Sequence, residues 1–160
     1  MITGINHAGL VVKDLEKALE FYHGLLGLKV LARRERDGGP IDKVVGYDSA
    51  HLIIANVGFD QHTSIELIQY ANPPPDDRPT EERAVLGGSH ICFDVDDIEE
   101  AHLAIVAGGA VGLNPPVEVA PGRKVCYMQD PDGNWLEFAQ INRSKTDLYQ
   151  GPELSGLVNW

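Results

Sequence analysis

Two histidines and two glutamates recur at matched places along this chain of 160 residues, and together they are a set that could hold a divalent metal. His7 and His90 stand 83 positions apart, and Glu66 and Glu137 stand 71 apart. Two imidazoles and two carboxylates make an N₂O₂ donor set. It suits Zn²⁺, Ni²⁺, Co²⁺, Mn²⁺ or Fe²⁺ and suits Ca²⁺ less well. The two carboxylate charges neutralise a dication and leave positions open for water or for two adjacent oxygens of a small substrate. A metal used in that way polarises a hydroxy-ketone, or a carboxylate next to a carbonyl, and stabilises the enediolate or enolate formed when a neighbouring C–H loses its proton. Glu66 and Glu137 are the candidate bases, since a ligating carboxylate can also accept a proton.

The elements that must position these side chains come in two copies. With His7 laid on His90, Val12 falls on Val95, Asp14 on Asp97, Glu16 on Glu99 and Ala18 on Ala101. Near the ends of the halves, Ile65-Glu66-Leu67 falls on Leu136-Glu137-Phe138, and Gln69 on Gln140. The change of offset places about twelve extra residues in the first half, between Arg36 and His51. Ile5 to Val12 alternates like a half-buried strand. Asp14 is suited to cap a helix that carries Leu15, Ala18, Leu19, Tyr22, Leu25 and Leu26, with Gly24 and Gly27 ending it. Strands are expected over 28–36, 50–57 and 63–70. The second half repeats the pattern with a strand over 89–95, a helix over 98–106 and strands over 111–117, 124–129 and 135–141. The expected fold is therefore α+β: two tandem βαβββ modules forming a curved, partly closed mixed sheet around the metal site. A single domain over 1–160 is expected, with module one at about 4–71, a Pro-rich linker at 72–86, module two at about 87–141 and a C-terminal tail at 142–160. In that tail Leu157 and Trp160 are apolar enough to dock on another surface.

Strand alternation puts Glu66 on a face with Ser64 and Ile68, and Glu137 on a face with Trp135 and Ala139. An ionised carboxylate in such company is costly to bury unless a cation compensates it. Tyr70 shares the face of Glu66. Tyr127 belongs near the last ligand, and Arg123 beside Pro121-Gly122 could meet an anionic substrate. These three are the substrate-binding candidates. His62 is expected exposed near a turn, and His23, His51 and His102 are expected at the surface. Cys92, on the face of His90, is expected as a buried thiol. Asp130-Pro131-Asp132-Gly133-Asn134 is expected to be a turn that aims the last strand and to do no chemistry.

Thirteen basic against twenty-four acidic residues give a formal charge of −11, which repels phosphate backbones and argues against nucleic-acid binding. No apolar run is long enough to span a membrane, and no secretion signal is evident. Two cysteines are too few for a disulfide framework, so a reducing cytoplasm is the expected compartment.

Several segments resemble the vicinal oxygen chelate superfamily, which includes glyoxalase I, methylmalonyl-CoA epimerase, extradiol dioxygenases and bleomycin resistance proteins. They are the run from Ile5 to Leu15, Phe21 to Leu28, Ser89 to Ile98, and Asp130 to Glu137. The resemblance spans about residues 4 to 141. It implies paired βαβββ modules around a metal, with His7, Glu66, His90 and Glu137 on the ligand positions, Glu137 as the first choice of base and Glu66 as the second. It also implies a homodimer, since in several relatives the modules that share a metal come from different chains. The filled second position, Glu66, is similar to glyoxalase I and to the epimerase. Val11 and Tyr70 stand where bacterial-type glyoxalase I carries an arginine and an asparagine for glutathione, which points away from glutathione as the substrate's handle. The expected function is a divalent-metal-dependent isomerase, epimerase or lyase acting on a small molecule. The alternatives are an Fe(II) ring-cleaving dioxygenase using His7, His90 and Glu137, and a metal-free ligand-sequestering protein.

Overall fold

The structure, a computed structural model, describes residues 1–60, 63–78 and 80–142. The C-terminal tail from residue 143 and His62, both weighed above, lie outside the described residues.

Module one begins with strand β1 (Ala8–Val12) and helix α1 (Leu15–Leu19), which continues directly into a π-helical stretch, Glu20–Leu25. Strand β2 (Lys29–Asp37), helix α2 (Pro40–Val45), β3 (His51–Gly58) and β4 (Ser64–Asn72) follow. Module two has β5 (Ile91–Asp94), α3 (Ile98–Ala107), β6 (Val111–Gly112), β7 (Val117–Ala120), β8 (Arg123–Gln129) and β9 (Trp135–Ile141). The duplicated βαβββ reading therefore holds, with three differences. The strands expected to start at Ile5 and Ser89 start at Ala8 and Ile91, so His7 and His90 each stand just ahead of their strands. The single strand expected over 111–117 is two short strands, β6 and β7, interrupted around Pro115-Pro116, where proline removes ladder donors. The extra residues of the first half form α2, in the interval where the change of offset places them.

Two mixed sheets result. Their orders are β1-β4-β3-β2 and β5-β9-β8-β6, with β7 also paired to β8, and neither closes into a barrel. In each, the first and last strands of the module run parallel and the others antiparallel. That parallel ladder brings each histidine's strand beside its glutamate's: Gly9 is in register with Glu66, and Cys92 with Glu137.

The helix starts are built by the same device twice. Asp14 accepts from the backbone N–H groups of Glu16 and Lys17, and Asp97 from that of Glu100. The repeat-related glutamines complete each start: Gln69 Oε1 accepts from Leu15 N at 2.8 Å, and Gln140 Oε1 from Ile98 N at 3.1 Å. Each thus ties the last strand of its module to the helix.

One core receives side chains from both modules, including Leu15, Tyr22, Leu67, Ile98, Leu136 and Phe138. Each fully buried leucine in it contributes about 1.5–3 kcal/mol. The Asp130 turn joins the modules as well as aiming β9. Its buried carboxylate accepts from Tyr22 Oη (2.7 Å), from the backbone N–H of Asp132 (3.0 Å) and Asn134 (2.7 Å), and from Asn134 Nδ2 (2.9 Å). Gly133, at φ +82°, supplies the left-handed residue of this turn. From there, Asn134 Nδ2 donates to Val11 O and Asp132 Oδ2 accepts from Lys13 N, each at 3.2 Å.

Candidate metal centre

The core faces of both sheets turn toward the helices, so the opposite faces carry the candidate site. On sheet one, alternation aligns Glu66 with Ser64 and Ile68 on β4, and opposite them Asn56 and Ile54 on β3. On sheet two, Glu137 lies between Tyr127 on β8 and Cys92 on β5.

The four predicted ligands come together two by two. His7 Nε2 is 3.4 Å from Glu66 Oε1, and His90 Nε2 is 3.0 Å from Glu137 Oε2. The glutamate side chains are largely buried, at 14% and 12% exposure. Among the described residues, no three His, Cys, Asp or Glu side chains gather as one metal centre. The reason is topological. Each His–Glu pair is made by the parallel ladder of a single sheet, and nothing in that ladder closes one sheet upon the other. One cavity nonetheless touches both modules. A cavity of about 460 Å³ is lined by His7 and Ile5 from module one and by Ile91, Cys92 and Asp94 from module two.

The donors fit a divalent ion. Asn6 Oδ1 lies 2.7 Å from His7 Nδ1. A carbonyl oxygen can only accept, so Nδ1 carries a proton, and in the neutral ring Nε2 presents its lone pair. Nε2 faces a carboxylate oxygen, an arrangement that either a ring proton or a metal cation between the two satisfies. Donors held about 2.0–2.2 Å from one ion at tetrahedral or octahedral angles stand roughly 3.0–3.4 Å from each other. Both pairs have that separation.

The two glutamates differ in their other partners. Arg34 Nη2 donates to Glu66 Oε2, forming a half-buried ion pair. Tyr127 Oη donates to Glu137 Oε2 at 3.0 Å and is 3.3 Å from His90 Nε2, with its ring edge-on to the imidazole. Burial, then the hydrogen bond to Glu137 and its charge, raise the Tyr127 hydroxyl above its ordinary range.

Cys92 is exposed, which corrects the buried thiol expected from sequence. Its strand is the edge of sheet two, and partial desolvation, then the charges of Glu137 and Asp94, push its thiol up to about 11. Tyr70 does share Glu66's face, and it packs with Ile41 and Val45 of α2 and edge-on against Tyr47. The inserted helix thus covers one end of sheet one's site face. Arg123 belongs to β8 rather than to a loop, and its Nε is buried with no acceptor among the described residues.

Two arginines at the site were missed in the sequence. In Arg33-Arg34-Glu35-Arg36, alternation cannot choose which arginine turns inward. A bulge at Leu31 decides, because it shifts the β2–β3 register between Val30 and Ala32. Arg33 consequently pairs with Glu16 on the helix side and Arg34 with Glu66 on the site side. Arg83, in the segment read as a Pro-rich linker, stacks over Tyr127 and Trp135 at 5.0 and 4.9 Å from the ring centroids.

The duplicated modules and this site define a member of the glyoxalase class. The family model for the Glyoxalase/Bleomycin resistance protein/Dioxygenase superfamily matches residues 4–138, and the chain belongs to that family. It is 29% identical to a lactoylglutathione lyase of Neisseria meningitidis, over 84% of this chain and 88% of that protein. It is 27% identical to the mitochondrial methylmalonyl-CoA epimerase of Homo sapiens, over 80% and 67% of the two chains. Among solved structures, a glyoxalase family protein from Bacillus cereus superposes with a TM-score of 0.80 at 26% identity, covering 88% of this chain and 95% of that one.

Proposed function

We propose that this chain is a divalent-metal-dependent, glyoxalase-like enzyme that isomerises, epimerises or eliminates from a small substrate with adjacent oxygens. The observation that carries this reading is the pair of matched His–Glu couples, each with the spacing of two donors to one ion. A bound divalent cation supplies Lewis acidity toward the two substrate oxygens. Everything else falls to the chain's own residues. His7 and His90 present Nε2, and Asn6 orients the first of them. Glu66 is the fixed member, because Arg34 engages its second oxygen. Glu137 is the proton-transfer member. Its second partner is the neutral Tyr127 hydroxyl, which can follow the carboxylate as it takes a proton from the substrate carbon. Return of that proton to a neighbouring carbon isomerises, return to the opposite face epimerises, and departure of a leaving group makes a lyase.

Relatives named as a lyase and as an epimerase favour proton-transfer chemistry over ring cleavage. Val11 and Tyr70 favour a handle other than glutathione, the more so because Tyr70 is packed under α2. Closure of the two half-sites by a second copy of the chain, in a homodimer, would complete the donor set. A cytoplasmic setting suits two free thiols.

The test is Glu137→Gln, assayed with a panel of α-hydroxy-carbonyl and acyl-thioester substrates by deuterium exchange at the carbon next to the carbonyl. Exchange by the wild type should fall about a hundredfold or more in the variant. Tightly bound iron with oxygen uptake on catechols, and no exchange, would contradict the proposal.

A further inference from the structure

We infer that Arg83 and the cavity beside it form a subsite for a carboxylate group carried on an apolar body. The cavity measures about 640 Å³. Arg83, His90, Tyr127 and Trp135 are among its lining residues, with Leu113 and Val119. Both aliphatic side chains are more than half open or nearly so, an apolar surface with nothing yet against it. The guanidinium of Arg83 is held against two aromatic rings at once, which restricts its positions at the cavity wall. Glu81, two residues earlier, receives a hydrogen bond from Gln129 and lies 3.9 Å from Arg78, which anchors the segment on β8.

Arg83 forms no ion pair among the described residues; its guanidinium packs on two ring faces instead, so its charge is open to an anionic ligand at the cavity. A planar guanidinium edge takes both oxygens of a carboxylate at once, so a carboxylate is the group this wall recognises. Tyr127 spans the short distance from Arg83 to Glu137 by touching both. The subsite therefore names a second group on the substrate of the proposed metal site, and it rests on that reading only for how the ligand is oriented.

Binding to metal-free protein separates the two claims. The probes are 4-phenylbutanoate, its neutral amide and inorganic phosphate, followed by tryptophan fluorescence and calorimetry. The acid should bind at least tenfold tighter than the amide, and phosphate should not compete. Arg83→Gln should bring the acid down to the amide's affinity, while Arg83→Lys should keep part of the preference. His7→Ala should lose metal uptake yet bind the acid within twofold of wild type. Equal binding of acid and amide, no binding of the acid to wild type, or a preference that survives Arg83→Gln would each overturn the inference.

Discussion

At the scale of residues, chemistry here is divided by partners rather than by residue type. Glu66 and Glu137 occupy equivalent places, yet one faces a guanidinium and the other a phenol. If Arg34 holds Glu66 in its ligand pose, Arg34→Gln should weaken metal affinity about tenfold or more, the scale of losing an outer partner of a ligand, and change turnover of the metal-saturated protein much less. Calorimetric metal titration alongside turnover checks both halves of that outcome. Tyr22 offers a stability test remote from the site. Burial first, and then the negative charge of Asp130, raise its hydroxyl above its ordinary value of about 10. The unfolded chain therefore loses this proton first as pH rises. Stability that is fully present below pH 10 should decline above it, by up to about 1.4 kcal/mol per pH unit. Tyr22→Phe should remove that share of the alkaline slope, at a cost of about 1–3 kcal/mol at neutral pH from the buried Asp130 oxygen left short of a donor. Urea midpoints between pH 8 and 11 report both effects.

At the scale of elements, the duplication made much of the fold readable. Matched Asp14/Asp97 and Gln69/Gln140 mark the same helix-start device in both modules, and the change in offset located α2. Gln69→Ala and Gln140→Ala should each lower stability by about 1–2 kcal/mol, read as a shift in denaturation midpoint without a change in slope. What sequence could not settle has physical causes of its own. Facing of the β2 arginines depends on a one-residue bulge at Leu31, which carries no composition signal. The split of β6 from β7 depends on whether Pro115-Pro116 ends a strand or sits at its edge. Arg83 acts through a tertiary stack on rings more than forty positions away, which local patterning does not encode. The recurrence of His7, Glu66, His90 and Glu137 was legible because duplication repeats them. Their separation into two couples was not, because strand order and the parallel pairing within each sheet set it.

At the scale of the whole molecule, each module contributes one His–Glu couple, and a shared core and the Asp130 turn fix the modules to each other. A homodimer that joins half-sites predicts that metal and assembly are linked. Sedimentation should show the dimer strengthened by added metal and weakened by chelation, whereas His7→Ala should uncouple the two. The central claim is that His7, Glu66, His90 and Glu137 hold one divalent ion between them, and cobalt titration of chelator-treated protein tests it most directly. The predicted result is one Co²⁺ per chain, with visible bands of an N- and O-ligated ion and affinity lost about equally on replacing His7 or His90 by alanine. A titration without stoichiometric uptake, or uptake unchanged in both histidine variants, would contradict it.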